Sequence, residues 1–302
     1  MRTERGFALA LVLWAMILLT VIGVSFGFAV QVETAGGTLL ADQVRAEAAA
    51  AAGIRRAMLG LLATDRDQQW QADGREYEIP WPDANLRVTM HAENGKIDLN
   101  YAPVTLLAGL FEKLFPNADA EALADSLMDW RDRDEQRSPK GAEAPEYAAA
   151  GRWGPANSRL TSVTELSQVL GFDAAMVERL TPYVTVFARR PRINPMAADA
   201  TVLAAVPGID TAVAEQFIAV RQSLAQDPDE RPDLSLLAAG SRYLDARSNT
   251  NVVAIRAEAR LQDGTTATVE ATVNLRSRGQ PYEILDWRLP LPDADATAPG
   301  AS

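Results

Sequence analysis

The sequence predicts an α+β protein in which one long N-terminal helix packs on an antiparallel sheet and a large α-helical domain is inserted between the strands. Three observations predict this fold class. No proline occurs before Pro80, and the segment from Leu39 to Ala63 is rich in helix formers. Strand-like segments lie at 73–100 and at 251–289. The intervening chain, 101–245, is rich in Ala and Leu and has a helical pattern.

The composition limits the chemistry that the chain can perform. The 302 residues include no cysteine and one histidine, and 29 Lys plus Arg against 40 Asp plus Glu give a net charge of -11. Thiolate metal sites, disulfides and cysteine nucleophiles are therefore excluded. No Gly-x-Ser-x-Gly or His-Glu-x-x-His pattern occurs, and His91 lies in a predicted strand, where it is expected to be structural. The sequence predicts no enzyme, no catalytic residue, no cofactor-binding residue and no nucleic-acid partner.

The N-terminal segment from Phe7 to Val30 contains no charged side chain. As a helix it would be about 36 Å long, enough to cross a hydrocarbon core of about 30 Å. Arg2 and Arg5 precede it and the first charges after it are acidic, so the positive-inside rule predicts a cytoplasmic N-terminus. We expect a single-pass membrane protein whose helix continues to about residue 65. A cleaved signal peptide is the alternative, although its apolar region is usually shorter.

The first six residues resemble a type IV prepilin leader, because they are short and charged and end in Gly6 followed by Phe7. The resemblance implies cleavage between these two residues by a prepilin peptidase and N-methylation of Phe7. Pilin-like subunits usually carry Glu at the fifth mature position, whereas this chain has Leu11. A subunit without that carboxylate is poorly suited to docking beneath another one. We therefore expect it to be the topmost, first-assembled subunit.

The strand-like segments define the expected domain boundaries. Strands are predicted at 75–81 and 86–92, followed by an Asn-Gly hairpin signal at 93–96, and again at 252–261 and 266–275 around Asp263-Gly264. The sheet domain is expected at 66–100 and 246–289, and the inserted helical domain at 101–245. The Pro- and Asp-rich residues 290–302 are expected to form a flexible tail.

The predicted helical insertion contains helix pairs that resemble helix-hairpin-helix units. In DNA-binding proteins such hairpins offer backbone amides to phosphate groups. Here the turns carry Asp119, Asp173 and Asp210, whose charge would repel a phosphate. Compact packing of helix pairs is therefore favoured. A membrane-anchored DNA receptor of competence type is the alternative function, and it should show a basic face that this sequence lacks.

The acidic segment 129–143 carries the strongest chemical signal. Counting from Asp132, positions 1, 3, 5, 7 and 12 hold the oxygen-bearing residues expected of a calcium loop, namely Asp132, Asp134, Gln136, Ser138 and Glu143. Arg137 occupies the position where an EF-hand requires Gly, so an irregular calcium-binding loop is favoured. Asp129 and Glu146 could complete the site. A surface of salt bridges to the neighbouring arginines, or a pair of catalytic carboxylates, would be the alternatives.

Taken together, these features resemble the general secretion pathway protein K family, the large minor pseudopilins of bacterial type II secretion. The resemblance spans nearly the whole chain. The residues that carry it are the leader with Leu11, Ile97 to Pro103, Asp129 to Asp134, Gly141 to Glu143, Tyr147, and Leu160 to Leu166.

The resemblance implies a type IV pilin-like fold, calcium bound in the insertion, and a tip complex with the I- and J-type minor pseudopilins that initiates or caps the pseudopilus. It also implies contact with the major pseudopilin filament, with inner-membrane lipid and with prepilin peptidase, while the bulk of the chain lies in the periplasm. Carried over by residue, the metal ligands are Asp129, Asp132, Asp134 and Glu143, and the processing site is Gly6 and Phe7.

Overall fold

The computed structural model describes residues 4–65, 68–224, 232–248, 250–276 and 280–290, without the side chains of helix positions 4–11 and 22–38. The N-terminal helix α1 spans Glu4–Leu61, which confirms the prediction of one long helix. Within the described part of the chain, no helix offers an apolar stretch long enough to cross a membrane. This description does not include the side chains of the predicted processing site, of Leu11 or of most of the predicted span 7–30. The tail from residue 291 also lies outside the described residues.

Seven strands follow α1 in the part of the chain that the structure describes. They are β1 (Asp73–Trp81), β2 (Ala84–Ala92), β3 (Ile97–Asp98), β4 (Val184–Thr185), β5 (Val252–Leu261), β6 (Thr266–Asn274) and β7 (Glu283–Arg288). Five of them form an antiparallel sheet in the order β1-β2-β5-β6-β7, and β3 pairs with β4 in parallel. The predicted antiparallel sheet is confirmed, and β7 is a strand that the sequence pattern does not predict. The central pairing of β2 with β5 places Ala92 opposite Val253, so the chain leaves the sheet and returns to it at adjacent positions.

The regular elements of the described chain between β2 and β5 are mostly helices, joined by irregular segments. Its α-helices are α2 (Val104–Leu114), α3 (Ala120–Arg131), α4 (Ala144–Ala149), α5 (Ala174–Leu180), α6 (Ala200–Ala204) and α7 (Thr211–Leu224), with 3-10 helices at Glu93–Gly95, Val163–Gln168 and Leu234–Tyr243. Asp119, Asp173 and Asp210 each accept a hydrogen bond from a backbone amide in the first turn of the helix that follows. These carboxylates therefore occupy the amides that a helix-hairpin-helix would offer to a phosphate.

Among the residues with described side chains, the buried apolar ones form two separate clusters. In the first, α1 lies on β2, β5 and β6 and presents small residues such as Ala46 and Ala50, together with Ile54, to the sheet. The helix lies close to the sheet, since a Cβ added to Gly53 of α1 would lie 3.1 Å from the Cβ of Ala257 on β5. The second cluster lies inside the inserted region, where Phe111 is among its largest fully buried side chains. The inserted region thus has an apolar core of its own.

The predicted hairpin at the Asn-Gly pair is wrong. Residues Glu93–Gly95 form a 3-10 helix that leads into β3, and the tight turn of the first hairpin lies between β1 and β2 instead. The reason is tertiary packing. The Asn94 Nδ2 donates to the Ser248 carbonyl at 2.8 Å, and a Cβ on Gly95 would lie 2.4 Å from the carbonyl oxygen of Ala197. The Asn-Gly pair therefore anchors the two ends of the inserted region to each other.

His91 is the single histidine of the sequence, and it predicts how the stability of the fold depends on pH. His91 is exposed on β2, but its ring lies against Gly74, where an added Cβ would be 2.8 Å from the His91 Cε1, and this partial burial is the main cause that lowers its pKa. The charged groups that also act on it are Lys96, which lowers the pKa, and Glu93, Asp199 and Asp73, which raise it. Because the unfolded chain takes up the proton first, the stability is expected to fall as the pH drops below about 6.5.

The measurement for this prediction is an NMR titration of the one imidazole signal together with urea unfolding between pH 5 and 8. The imidazole is expected to titrate below its ordinary value, and His91→Gln should remove the corresponding loss of stability at low pH. A folded-state midpoint at or above about 6.5 would contradict the prediction.

Candidate metal centre

The acidic loop between α3 and α4 is folded back onto α3. The backbone amide of Ser138 donates to both carboxylate oxygens of Asp129 at 3.1 Å. The amide of Lys140 donates to Asp125 Oδ2 at 3.0 Å, and its ammonium group pairs with Asp119 at 3.0 Å and with Glu121 at 2.8 Å. These contacts hold the middle of the loop along α3, from its first turn at Glu121 to its last turn at Asp129.

Asp129 forms the floor of this loop and is fully buried, at 0% exposure. Gly141 lies directly against its carboxylate, since an added Cβ would be 2.0 Å from Asp129 Oδ2 and 3.1 Å from the Asp125 carbonyl. Only glycine fits at this position without moving the carboxylate. The sequence indicated Gly141 as part of the family motif but gave no physical reason for it.

Two further carboxylates of the predicted set are directed into the same region. Asp132 Oδ1 and Glu143 Oε1 are buried side-chain oxygens without a hydrogen-bond partner. Burial is the main cause that raises the pKa of both groups, and the charges of Asp129 and Asp134 raise it further in each case. The structure therefore places Asp132 and Glu143 within electrostatic reach of Asp129 and Asp134.

The donor set suits a hard cation, because it consists entirely of oxygens and two of these lack any partner. Among the residues that the structure describes, however, no three His, Asp or Glu side chains already converge as a metal-binding group. Asp134 is the outlying member, since its side chain is exposed and its Oδ1 accepts a hydrogen bond from the Gln136 amide at 2.9 Å. A cation in the loop would need this side chain to turn inward.

Glu146, which the sequence left open as a further ligand, is engaged elsewhere. Its Oε2 accepts a hydrogen bond from the Glu143 amide at 3.0 Å at the start of α4, and its Oε1 pairs with Arg137 at 3.3 Å. The hydrogen bond from the Glu143 amide is the main cause that lowers its pKa. Glu146 therefore caps α4, and its ion pair with Arg137 is one part of the salt-bridged surface considered from the sequence.

Arg131 donates its hydrogen bonds away from the acidic loop. Its guanidinium group donates to the Leu99 carbonyl and, at 2.8 Å, to the Ala102 carbonyl. Burial is the main cause that lowers its pKa, and the charges of Asp98 and Asp132 oppose that effect. Asp98 itself is 2% exposed. Arg131 thus joins α3 to the segment that follows β3.

The remaining family residues surround α3 as well. Trp130 Nε1 donates to Glu165 at 3.2 Å, and the Glu165 carboxylate also accepts from the Thr161 amide at 2.9 Å. The Asn100 side chain donates to the Leu160 carbonyl at 2.9 Å and accepts from its amide at 2.8 Å. Segments that are far apart in sequence therefore form one hydrogen-bonded unit behind the acidic loop.

Comparison with known proteins supports the resemblance seen in these residues. Residues 84–191 match the family model described as Type II secretion system (T2SS), protein K. Type II secretion system protein K of Klebsiella pneumoniae is 31% identical over 206 residues, which is 61% of this chain and 63% of that protein. The protein of the same name from Dickeya chrysanthemi is 46% identical over 67 residues, 22% of this chain and 18% of that protein. This chain thus spans less than two thirds of the length of these relatives.

A solved structure has a similar fold. It is a chain of the GspK-GspI-GspJ complex from the type 2 secretion system of enterotoxigenic Escherichia coli. The TM-score is 0.59 at 21% sequence identity, over 86% of this chain and 99% of that chain. The resemblance to the protein K family that the sequence predicts is confirmed by these matches.

Proposed function

From the match of residues 84–191 to protein K of the type II secretion system, we propose that this chain is a K-type minor pseudopilin. In this role it sits at the tip of the periplasmic pseudopilus and helps to initiate its assembly for protein export across the outer membrane. That match carries the proposal, because it includes the acidic loop and the hydrogen-bonded unit around α3. The chain acts by assembly and uses no catalytic group.

The proposed fold is that of a type IV pilin-like subunit with an inserted helical domain at 101–245. The packing of α1 on an antiparallel sheet and the separate apolar core of the inserted region support it. The apolar residues 7–30 anchor the subunit in the bacterial inner membrane, with a cytoplasmic N-terminus. Prepilin peptidase removes residues 1–6 between Gly6 and Phe7, and Phe7 is then methylated.

The proposed partners are the I- and J-type minor pseudopilins. The similar solved chain comes from a complex of GspK with GspI and GspJ, which supports this choice. Leu11 in place of a charged fifth mature residue suits a subunit with no other subunit above it. The bulky insertion would also block a further subunit from stacking on top, and the filament of major pseudopilins would extend below.

The decisive experiment is co-purification of the full-length chain with the I- and J-type subunits of the same secretion system after co-expression. A complex of fixed stoichiometry is expected. Binding of duplex DNA by the chain, with no capture of either subunit, would reject the proposal and favour an anchored DNA receptor. The aspartates that cap the hairpin helices argue against that second outcome.

We also propose that the acidic loop binds calcium through Asp129, Asp132, Asp134 and Glu143. The two buried carboxylate oxygens without partners and the enclosed position of Asp129 support the proposal. Bound calcium would neutralise the mutual repulsion of these carboxylates and link the end of α3 to the start of α4. The inserted region would then be stiffened at the loop.

Calcium is expected to stabilise the folded chain measurably. At a calcium concentration about twentyfold above its Kd, the gain is about 1.8 kcal/mol, which corresponds to roughly 3 °C in Tm for a chain of this size. Thermal unfolding with calcium and with EDTA measures it. Asp132→Asn should remove most of the difference, whereas Glu112→Gln, an exposed carboxylate on α2, should leave it unchanged. Equal Tm values for the unaltered chain in calcium and in EDTA would reject the calcium site.

A further inference from the structure

A cleft of about 420 Å³ lies between the inserted region and the face of the sheet that points away from α1. Its floor consists of two neighbouring rows of paired side chains that run from β2 to β7. One row is Thr89, Arg256, Glu270 and Arg288, and the other is His91, Ala254, Thr272 and Asp286. Alternate residues of the same strands, such as Met90 and Val269, are buried beneath α1, so both rows project from the opposite face.

The opposite wall of the cleft belongs to the inserted region and is largely apolar. Its apolar side chains are Val163, Pro182, Tyr183, Phe187 and Val202. The pairing of β3 with β4 and the hydrogen bond from the Ile97 amide to the Tyr183 carbonyl at 3.0 Å hold this wall in place. Tyr183 and Phe187 are half-buried, so part of each ring is open to contact. The cleft therefore combines a polar floor with an apolar wall that includes two aromatic rings.

The charged groups of the cleft neutralise one another. Each Lys or Arg among the described lining residues pairs with a carboxylate of the same lining, namely Lys96 with Glu93 and Arg256 with Glu270 at 2.6 Å, and Arg288 with Asp286 at 2.8 Å. The remaining carboxylate of the lining, Asp199, accepts a hydrogen bond from the Thr201 amide at 2.8 Å. A charged ligand would therefore have to compete with pairs that already exist.

The polar groups of the cleft that lack partners are neutral. Within the described part of the chain, the side chains of Thr89, His91, Tyr183 and Thr272 make no hydrogen bond. Thr272 is the most enclosed of the four, at 5% exposure. An enclosed hydroxyl without a partner costs free energy, and because Thr272 lines the cleft, a ligand bound there can supply that partner. The groups free to bind a ligand are thus three hydroxyls and one imidazole.

These features select the chemical class of the ligand. A wholly apolar ligand would cover the ion pairs of the floor and remove them from water. A peptide would add to the edge of a sheet through its backbone, whereas the backbone groups of β5 and β6 are already paired on both sides. A neutral sugar fits both surfaces, because its hydroxyls donate and accept hydrogen bonds and its C–H face packs on aromatic rings.

The size of the cleft fits a short oligosaccharide. The floor crosses four neighbouring strands, so it is about 14 Å long at about 4.8 Å per strand spacing. The volume of about 420 Å³ lies within the range of small-molecule sites. Two linked sugar rings match this length and volume, whereas a single ring would reach only one end of the floor.

We propose that this cleft binds a neutral oligosaccharide of about two sugar rings. The rings lie against Tyr183 and Phe187, and their hydroxyls bind Thr89, His91 and Thr272 on the floor. The inference goes beyond the proposed function and does not depend on it, because every group of the site belongs to this chain alone.

The test is an NMR titration of the full-length chain, purified in a detergent without a sugar headgroup. The probes are cellobiose and di-N-acetylchitobiose, which are neutral disaccharides. Glucuronic acid, a blocked trialanine peptide and indole represent the charged, peptide and apolar alternatives. His91 is the single histidine and lies on the floor of the cleft, so its one imidazole signal reports binding at this place.

Two valine substitutions on β6 make a matched pair. Thr272→Val removes the enclosed hydroxyl and keeps a β-branched side chain in the strand, so the Tm should not change. Thr268→Val makes the same change on the same face of β6, four residues earlier and outside the cleft.

At least one disaccharide is expected to shift the His91 signal to saturation, with an affinity at least about tenfold above that of each of the other three probes. Thr272→Val should weaken this affinity about five- to tenfold, the effect of one lost hydrogen bond, whereas Thr268→Val should leave it unchanged. No saturable shift with either disaccharide, equal or tighter binding of another probe, or an equal loss in both variants would overturn the proposal. Each of these results leaves the proposed function intact, because that function is tested by co-purification with partner subunits.

Discussion

Replacing Gly141 by alanine is expected to remove the calcium-dependent stabilisation and to lower the stability in EDTA as well, by about 2–3 kcal/mol. The added Cβ would lie 2.0 Å from Asp129 Oδ2, closer than any van der Waals contact allows. Because Asp129 is fully buried, its carboxylate has no free space to enter. The loop must therefore lift away from α3, which separates Asp129 from Asp132 and Glu143.

Gly154→Ala is the matched control for this experiment. Gly154 lies just beyond α4 and, like Gly141, has no positive φ, and its added Cβ would be 3.6 Å from the Ala144 Cβ, which is ordinary contact. Urea unfolding of both variants with calcium and with EDTA makes the comparison. The geometric argument fails if Gly141→Ala keeps both the stability of the unaltered chain and its response to EDTA.

Arg131→Met is expected to destabilise the chain by about 3 kcal/mol. The change leaves the carbonyls of Leu99 and Ala102 without their guanidinium donor. It also removes the positive charge that lowers the pKa of Asp98, whose pKa burial raises. The buried Asp98 carboxylate accepts hydrogen bonds from the amides of Asn100 and Arg189 at 2.8 and 2.7 Å. Without the positive charge of Arg131, the buried Asp98 carboxylate is expected to weaken the packing between α3 and the segment after β3.

The measurement is urea unfolding in excess calcium, so that occupancy of the acidic loop stays constant. Arg133→Met, two residues further along and exposed, should change the stability by less than about 0.5 kcal/mol. Equal effects of the two substitutions would show that the buried contacts of Arg131 add nothing.

Local patterns in the sequence predicted most of the fold. The α1 helix follows from composition and the absence of proline, and the β5-β6 hairpin follows from alternation around Gly264, whose φ of +93° requires glycine. β7 was missed because its sequence does not alternate. Its register shifts between Thr272 and Val273 of β6, and its side chains are at least partly exposed on both faces. An exposed edge strand with a bulge gives no period-two signal.

The sequence predicted which residues belong to the acidic loop but not how their side chains are arranged. Spacing alone singled out Asp132, Asp134 and Glu143. It could not show that Glu146 caps α4, or that Asp125 holds the Lys140 amide, because both depend on how the loop folds back onto α3. Asp125 lies one helical turn before Asp129, so its position on the same face was the one available signal. The Asn-Gly pair does not form the predicted hairpin for the same reason, since its tertiary contacts override its turn preference.

The pairing of Ala92 with Val253 also has a consequence for how fast the chain folds. Residues 93–252 separate these two partners, and closing a flexible loop of that length would cost about 4.5 kcal/mol of chain entropy. If the inserted region collapses first around its own core, it brings the ends of β2 and β5 together and removes most of that cost. We therefore expect the sheet to form late, at a rate set by the folding of the inserted region. Substitutions in the core around Phe111 should then slow the pairing of β2 with β5, although they contact neither strand.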